Sequence, residues 1–195
     1  MVDHASPAVE HGIAPTPEQL GVIRWEHALA TNAELREFFD NYGDGLNYLP
    51  DLYAEIVPGL WQGGTSRDQV IDREQPLIRP SGLEQEFDCV ATLFAWAAPV
   101  HAGVEERRFG FPDGELMAEH FPQLESLAAW THARWVEGRR VLVRCAGGIN
   151  RSGLITAMTL MNAGHSAEAA IRLVRAGRCE WALSNPSFVA YLYAR

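Results

Sequence analysis

Lysine is missing from this sequence. All 16 basic residues are arginine, against 25 aspartates and glutamates, giving a formal net charge of −9. An acidic body of that kind argues against broad contact with nucleic acid or with anionic membrane. Cysteine is scarce: three residues, unevenly spaced, exclude a disulfide framework and leave no zinc-ligand pattern. No apolar run approaches the ~20 residues of a membrane span, and the N-terminus lacks the basic-then-apolar order of a secretory signal. A reducing cytoplasm is the expected setting, with no membrane partner. A chain of 195 residues suits one domain with an extension. It can bury about 70% of its unfolded surface, so it needs no staples.

What is present centres on Val141-Leu-Val-Arg-Cys-Ala-Gly-Gly-Ile-Asn-Arg-Ser-Gly153. An apolar run of strand type, Val141 to Val143, leads through Arg144 to Cys145. A loop of small residues follows, then Arg151 and Ser152, then an apolar helical stretch from Leu154 to Met161. A strand, a tight turn and a helix in that order turn consecutive backbone N–H groups inward, making a nest for anions at a helix N-terminus. Gly147 and Gly148 give the loop backbone freedom where side chains would block approach. Arg151 can hold two phosphate oxygens bidentately. The same positive environment favours the thiolate form, in which Cys145 can act as a nucleophile.

Cys145, Gly148, Arg151, Ser152 and Gly153 together resemble the Cys-x5-Arg-Ser/Thr motif of the protein tyrosine phosphatase superfamily. The segment Ile56-Val-Pro-Gly-Leu-Trp-Gln-Gly63 is similar to the opening of dual-specificity phosphatase domains. Val174-Arg-x-x-Arg178 and Asn185-Pro-Ser-Phe188 are similar to their C-terminal end. The resemblance implies an α/β fold, with a central mixed, mostly parallel sheet flanked by helices.

Along the chain, residues 1–15 are polar and aperiodic and read as a disordered tail. Residues 16–50 read as a short helical extension, starting at the Thr16-Pro17-Glu18-Gln19 cap, with helices near Gln19–Ala28 and Ala33–Phe39. Residues 51–195 would be the catalytic domain. Asp40 to Asp51 faintly matches a calcium loop, but Tyr42 stands at a ligand position and an Asx/Gly turn is the better reading. Strands are expected at Glu55–Gly64 (two, around Pro58-Gly59), Phe87–Phe94 and Val104–Phe111, with loop and one short helix over 65–86. A long helix is expected over Met117–Glu137, with Leu124, Leu127, Ala128 and Trp135 on its buried side and His120 and His132 on its surface. Gly164 should stop the catalytic helix. Ser166 should cap the next one, and Asn185-Pro186 the last. Cys89 reads as a core residue.

Phosphate-ester hydrolysis through a thiolate needs a proton for the leaving oxygen. Asp113, in Phe-Pro-Asp-Gly and 32 residues before Cys145, matches the general-acid loop of the family, with Glu115 as the rival. The implied roles are then as follows. Cys145 attacks phosphorus, and Asp113 is acid and then base. The loop Ala146, Gly147, Gly148, Ile149, Asn150 and Arg151 binds the phosphoryl oxygens, and Ser152 hydrogen-bonds the departing thiolate. No metal and no cofactor are called for. The family usually carries histidine before the cysteine; this chain has Arg144, which keeps a charge there without the imidazole's hydrogen bonds.

The expected activity is a phosphoprotein phosphatase acting on phosphotyrosine, extending to phosphoserine and phosphothreonine. Its partners would be a phosphorylated protein or peptide, with phosphate or another oxyanion in the loop. The alternatives are a phosphoinositide or RNA 5′-phosphate phosphatase of the same fold, or a pseudophosphatase that binds phosphorylated partners without turnover. The lysine-free loop weighs against a phosphoinositide; the acidic charge weighs against RNA, which Asn150-Arg151-Ser152-Gly153 keeps open because it also resembles RNA triphosphatase relatives.

Overall fold

The computed structural model describes residues 52–65 and 86–195. The expected tail over residues 1–15, the extension over 16–50 and most of the loop over 65–86 lie outside the described residues. A five-stranded sheet forms the centre, in the order β1-β2-β5-β3-β4. Its strands are β1 (Tyr53–Val57), β2 (Leu60–Gly63), β3 (Cys89–Thr92), β4 (Glu105–Arg108) and β5 (Val141–Arg144). β1 and β2 form the antiparallel hairpin expected around Pro58-Gly59, and all other pairs are parallel. Gly59 takes a left-handed φ of 83°, as the turn requires, and its N–H donates to Glu55 Oε1 at 2.8 Å.

β5 is the middle strand, and all four of its residues are buried. A parallel strand covered on both faces cannot alternate apolar and polar, which is why its signal is a continuous apolar run. Val141 and Val143 face a large cluster that also holds Leu124, Leu154, Met158, Ile171 and Phe188. Leu142 faces a smaller one with Phe87, Val90, Val100 and Val104. Four helices flank the sheet among the described residues: α1 (Phe121–Val136), α2 (Arg151–Asn162), α3 (Ala167–Gly177) and α4 (Pro186–Ala194). All four contribute to the first cluster; the second is built from strand and loop residues alone.

The helix ends follow the expected signals. α2 stops before Gly164, at φ 96°. Ser166 caps α3 by accepting from Ala169 N, and Asn185 caps α4 by accepting from Ser187 N. α1 begins one turn later than its pattern, after a 3-10 turn at Ala118–His120. Its buried side adds Trp130 and Thr131 to the expected Leu124, Leu127 and Ala128, and Trp135 is partly buried. Trp135 Nε1 donates to Pro58 O at 2.9 Å, fixing α1 to the β1–β2 turn.

His120 does not sit on the surface. Its side chain is only 17% exposed, and its ring packs against Phe109 and Phe111, with centroids 6.0 and 5.8 Å away. The segment after β4 crosses the start of α1, and a single-helix pattern cannot anticipate that cover. β4 is the sheet's outer strand and is partly exposed, not apolar throughout. Glu105 there takes Arg134 Nε and Nη2 and Trp130 Nε1 at 2.9–3.1 Å, buttoning the edge strand to α1.

Candidate active site

Cys145 follows β5 directly, at the carboxyl end of the central strand, where open α/β sheets place their ligand crevices. Its Sγ accepts from Gly148 N–H at 3.2 Å and lies 3.3 Å from Ser152 Oγ on the first turn of α2. The loop therefore curls back over the sulfur. That curl depends on Gly148, at φ 72°. A Cβ there would stand 2.5 Å from the carbonyl carbon of Gly63, so only glycine fits between loop and hairpin.

The loop's carbonyls are bound from outside. Thr65 Oγ1 donates to Cys145 O at 2.8 Å and Thr65 N to Ala146 O at 2.9 Å. Gly148 O accepts from Gln62 Nε2 at 3.0 Å and from Arg178 Nε at 3.1 Å. Ile149 O accepts from Leu183 N at 3.3 Å. A planar trans peptide points its C=O and its N–H in opposite directions. Fixing these four carbonyls outward turns the N–H groups of Ala146, Gly147, Ile149 and Asn150 the other way, toward the concave side. This is the cradle that the glycine-rich turn was expected to form, and α2 adds its N-terminus to it.

Arg151 opens α2. Its Nη1 donates to Leu93 O at 3.3 Å and to Phe111 O at 3.2 Å, and the guanidinium lies 5.6 Å from the centre of the Phe94 ring. Its buried Nε has no hydrogen-bond partner among the described residues. A buried N–H donor without a protein acceptor is costly unless an anion is to be received there. The carbonyl of Phe111 ties this arginine to the segment that carries Asp113.

Asp113 is half-buried beside the loop, and its Oδ1 accepts from Asn185 Nδ2 at 3.0 Å. Burial raises its pKa above the ordinary carboxylate value; the Asn185 donor, the Arg151 charge and a hydrogen bond from Asn150 act the other way. A carboxyl that keeps its proton more readily than usual is suited to giving one away. Glu115, its rival, has an exposed side chain.

No protein-family model and no curated protein matches the sequence. Solved structures do match. A mouse candidate dual specificity phosphatase complexed with zinc tungstate aligns at 26% identity and a TM-score of 0.58, over 73% of this chain and 85% of that one. Human DUSP28 aligns at 23% identity and TM-score 0.60, over 75% and 93%. The active form of Tk-PTP aligns at 23% and 0.56, over 74% and 97%. The fold is that of the dual-specificity phosphatases.

Within that phosphatase-like fold, Cys145, Ser152, Arg151 and Asp113 come together from β5, α2 and the segment after β4. Asn150, expected in the loop, belongs to the same assembly, as do Gln62, Thr65, Arg178 and Asn185, which the sequence reading did not include among the site residues. Gln62 lies in the β2 motif, and Arg178 and Asn185 lie in the C-terminal one. Those two resemblances were the available signal.

Arg144 is the residue that departs from the phosphatase pattern, and its side chain leaves the loop. It is fully buried. Nε donates to Thr92 Oγ1 at 3.0 Å, and Nη2 to Ala98 O at 2.6 Å and to Glu106 Oε1 at 3.3 Å. Glu106 Oε1 also receives Thr92 Oγ1 at 2.6 Å and Arg108 Nη1 at 2.8 Å. The arginine therefore ties β5, β3 and β4 together behind the nucleophile. The other two cysteines stand apart. Cys89 is fully buried in β3, as expected, and burial pushes its thiol up to about 11. Burial also raises the pKa of Cys179.

Proposed function

We propose that this chain is a cysteine-dependent phosphatase that hydrolyses phosphotyrosine in proteins or peptides, with phosphoserine and phosphothreonine as further substrates. The observation that carries this reading is the curl of the loop. Sγ of Cys145 sits inside it, under a backbone N–H and beside Ser152 Oγ. Asp113, a carboxyl with raised proton affinity, stands next to it.

In the first step Sγ attacks phosphorus and the P–O bond to the leaving group breaks. Asp113 gives its proton to the departing oxygen, leaving a cysteinyl-phosphate. The inward N–H groups and Arg151 hold the phosphoryl oxygens, on which charge is spread in the transition state. In the second step water attacks phosphorus and gives its proton to the Asp113 carboxylate. The P–S bond breaks, and Ser152 Oγ donates to the thiolate as it forms. Inorganic phosphate leaves. Arg144 has its polar partners on the β3–β4 side, so its replacement of histidine does not by itself favour binding without turnover.

A turnover assay on an aryl phosphate, phosphopeptides and a 5′-phosphorylated RNA tests the substrate class. Phosphotyrosyl peptide is expected to be turned over fastest, and preference for the RNA would replace this reading. Cys145→Ser should abolish hydrolysis yet still bind vanadate or phosphate. Substantial turnover by that variant would mean another nucleophile.

A further inference from the structure

We propose that Asn185 is a positioning residue for catalysis, a clamp that carries the acid segment on the start of α4 and locks it to the phosphate loop. The proposal rests on Asp113 being the general acid. Asn185 is 2% exposed, and every polar group it has is used. Its Oδ1 accepts from Ser187 N at 3.0 Å, which caps α4. Its Nδ2 donates twice into the acid segment, to Asp113 Oδ1 and to Gly114 O, both at 3.0 Å. Its backbone N–H donates to Asn150 Oδ1 at 3.0 Å, and Asn150 belongs to the phosphate loop. Asn150 Oδ1 also receives Ser184 Oγ at 3.1 Å. A second tie runs in parallel: Ser187 Oγ accepts from Leu116 N at 2.9 Å, holding the far end of the acid segment to the same helix turn.

The amide can sit only one way round. Reversed, its NH₂ would meet the Ser187 N–H, and its oxygen would meet the carbonyl of Gly114. Capping alone does not explain asparagine here. Serine, threonine and aspartate cap about as well, with only their oxygen engaged. Asparagine alone has two N–H donors left over, and both are aimed at the acid segment. Aspartate would set a second carboxylate against Asp113. Among the described residues, the side-chain donors to Asp113 come from outside its own segment: Asn185, 72 positions away, and Asn150 of the loop.

The groups that act on the Asp113 proton can be named. Arg151 of α2 is the charge that faces it, and Asn150 and Asn185 donate to it. Glu115, on the same segment, is exposed, and His120 at the start of α1 lies against the Phe109 and Phe111 rings. Removing the Asn185 donor should therefore raise the proton affinity of Asp113, which moves the alkaline limb of the activity profile to higher pH. Loss of a cap alone would not do this.

The test uses the full chain and four variants: Asn185→Ser, Asn185→Asp, Asp113→Asn and the double variant Asp113→Asn/Asn185→Ser. Phenyl phosphate, with a poor leaving group, and nitrophenyl phosphate, with a good one, are compared across pH. Asn185→Ser is expected to lower kcat on phenyl phosphate roughly tenfold or more, a part of the ~10²–10⁴ that general acids supply. The loss on nitrophenyl phosphate should be smaller, KM should stay within about twofold, and the alkaline limb should move up. Asn185→Asp, which keeps both cap and shape, should move that limb further and keeps the test open if the serine variant folds poorly. In the Asp113→Asn background, Asn185→Ser should cost little more.

Equal losses on both esters, or a full further loss in the double variant, would mean that Asn185 only supports the fold. If Asp113→Asn depends on the leaving group and neither Asn185 variant does, the positioning role is overturned and the acid assignment stands. If Asp113→Asn itself shows no such dependence, both fall.

Discussion

Two polar clusters with buried centres flank Cys145, and they are built from different chemistry. Behind it, Arg144, Glu106 and Arg108 form a charged cluster with Thr92. In front of it, Gln62, Thr65, Asn150, Ser184 and Asn185 form a largely neutral one, with Arg178 as its cation. Taking Arg144 and most of Glu106 out of water is expensive, and the attraction between them offsets this only while both partners stay, with the exposed Arg108 adding a donor from the rim. Neutral amides and hydroxyls cost far less to bury, and each holds one backbone group in one direction. The charged cluster thus joins strands, whereas the neutral one sets the aim of peptide groups. Damage to the first should appear as lost stability, and damage to the second as lost turnover in a folded protein.

The largest effect is expected from Glu106→Ala. It leaves the buried Arg144 without its counter-charge, and breaking such a pair typically costs about 3–5 kcal/mol. Urea denaturation at neutral pH measures this; a loss below about 1 kcal/mol would show that the cluster is not what joins the strands.

Gln62→Leu comes next in stability. It removes one of the two donors on Gly148 O, with Arg178 Nε remaining, and should cost about 1 kcal/mol. Its kcat should nevertheless fall several-fold, because the Ile149 N–H is no longer held in line. A variant that unfolds readily but turns over normally would reverse the comparison.

Asp113 gives a signed pH effect. Burial raises its folded-state pKa, so the bound proton favours the folded state. That contribution is complete below the unfolded carboxylate pKa, about 3.9, and is lost as pH rises through the raised folded value. Asp113→Asn should therefore be more stable than the parent at pH 7, with the gain shrinking toward pH 4. Denaturation midpoints at the two pH values check this, and a gain that grows on acidification would contradict the burial argument.

The smallest effect is expected at Arg172→Ala. Its partner Glu168 lies one turn away on α3 at 3.3 Å, and both side chains are well exposed. Such a pair contributes at most about 0.5 kcal/mol. A loss comparable to that of Glu106→Ala would mean that burial does not separate the two kinds of ion pair.

Much of this architecture was legible because its signals are local. Val141 to Gly153 carries strand, turn and helix in one run, and Ser166, Asn185 and Gly164 punctuate helices by chemistry that acts within a few residues. The buttresses were not legible. Gln62 reaches Gly148 across 86 positions and Asn185 reaches Asp113 across 72, so no window of sequence contains both partners. Arg144 shows the same limit. Its place in the motif suggested a charge beside the loop, whereas its side chain runs to Thr92 and Glu106, two strands that only the sheet order brings alongside. His120 was misplaced for a related reason: the aromatic pair that covers it comes from the segment after β4.

Those long spans bear on how the chain reaches its working state. Thr65 and Cys145 are 80 positions apart, and the other ties to the loop and to Asp113 are of similar reach. Each closes a large loop, whose entropy must be lost before the contact contributes anything. Helical turns and the β1–β2 hairpin involve neighbours and can form in microseconds. The loop around Cys145 takes its shape only when the chain segments on both sides of it have arrived. Recovery of the proposed phosphatase activity on refolding should therefore lag the return of helical circular dichroism and follow the slowest phase.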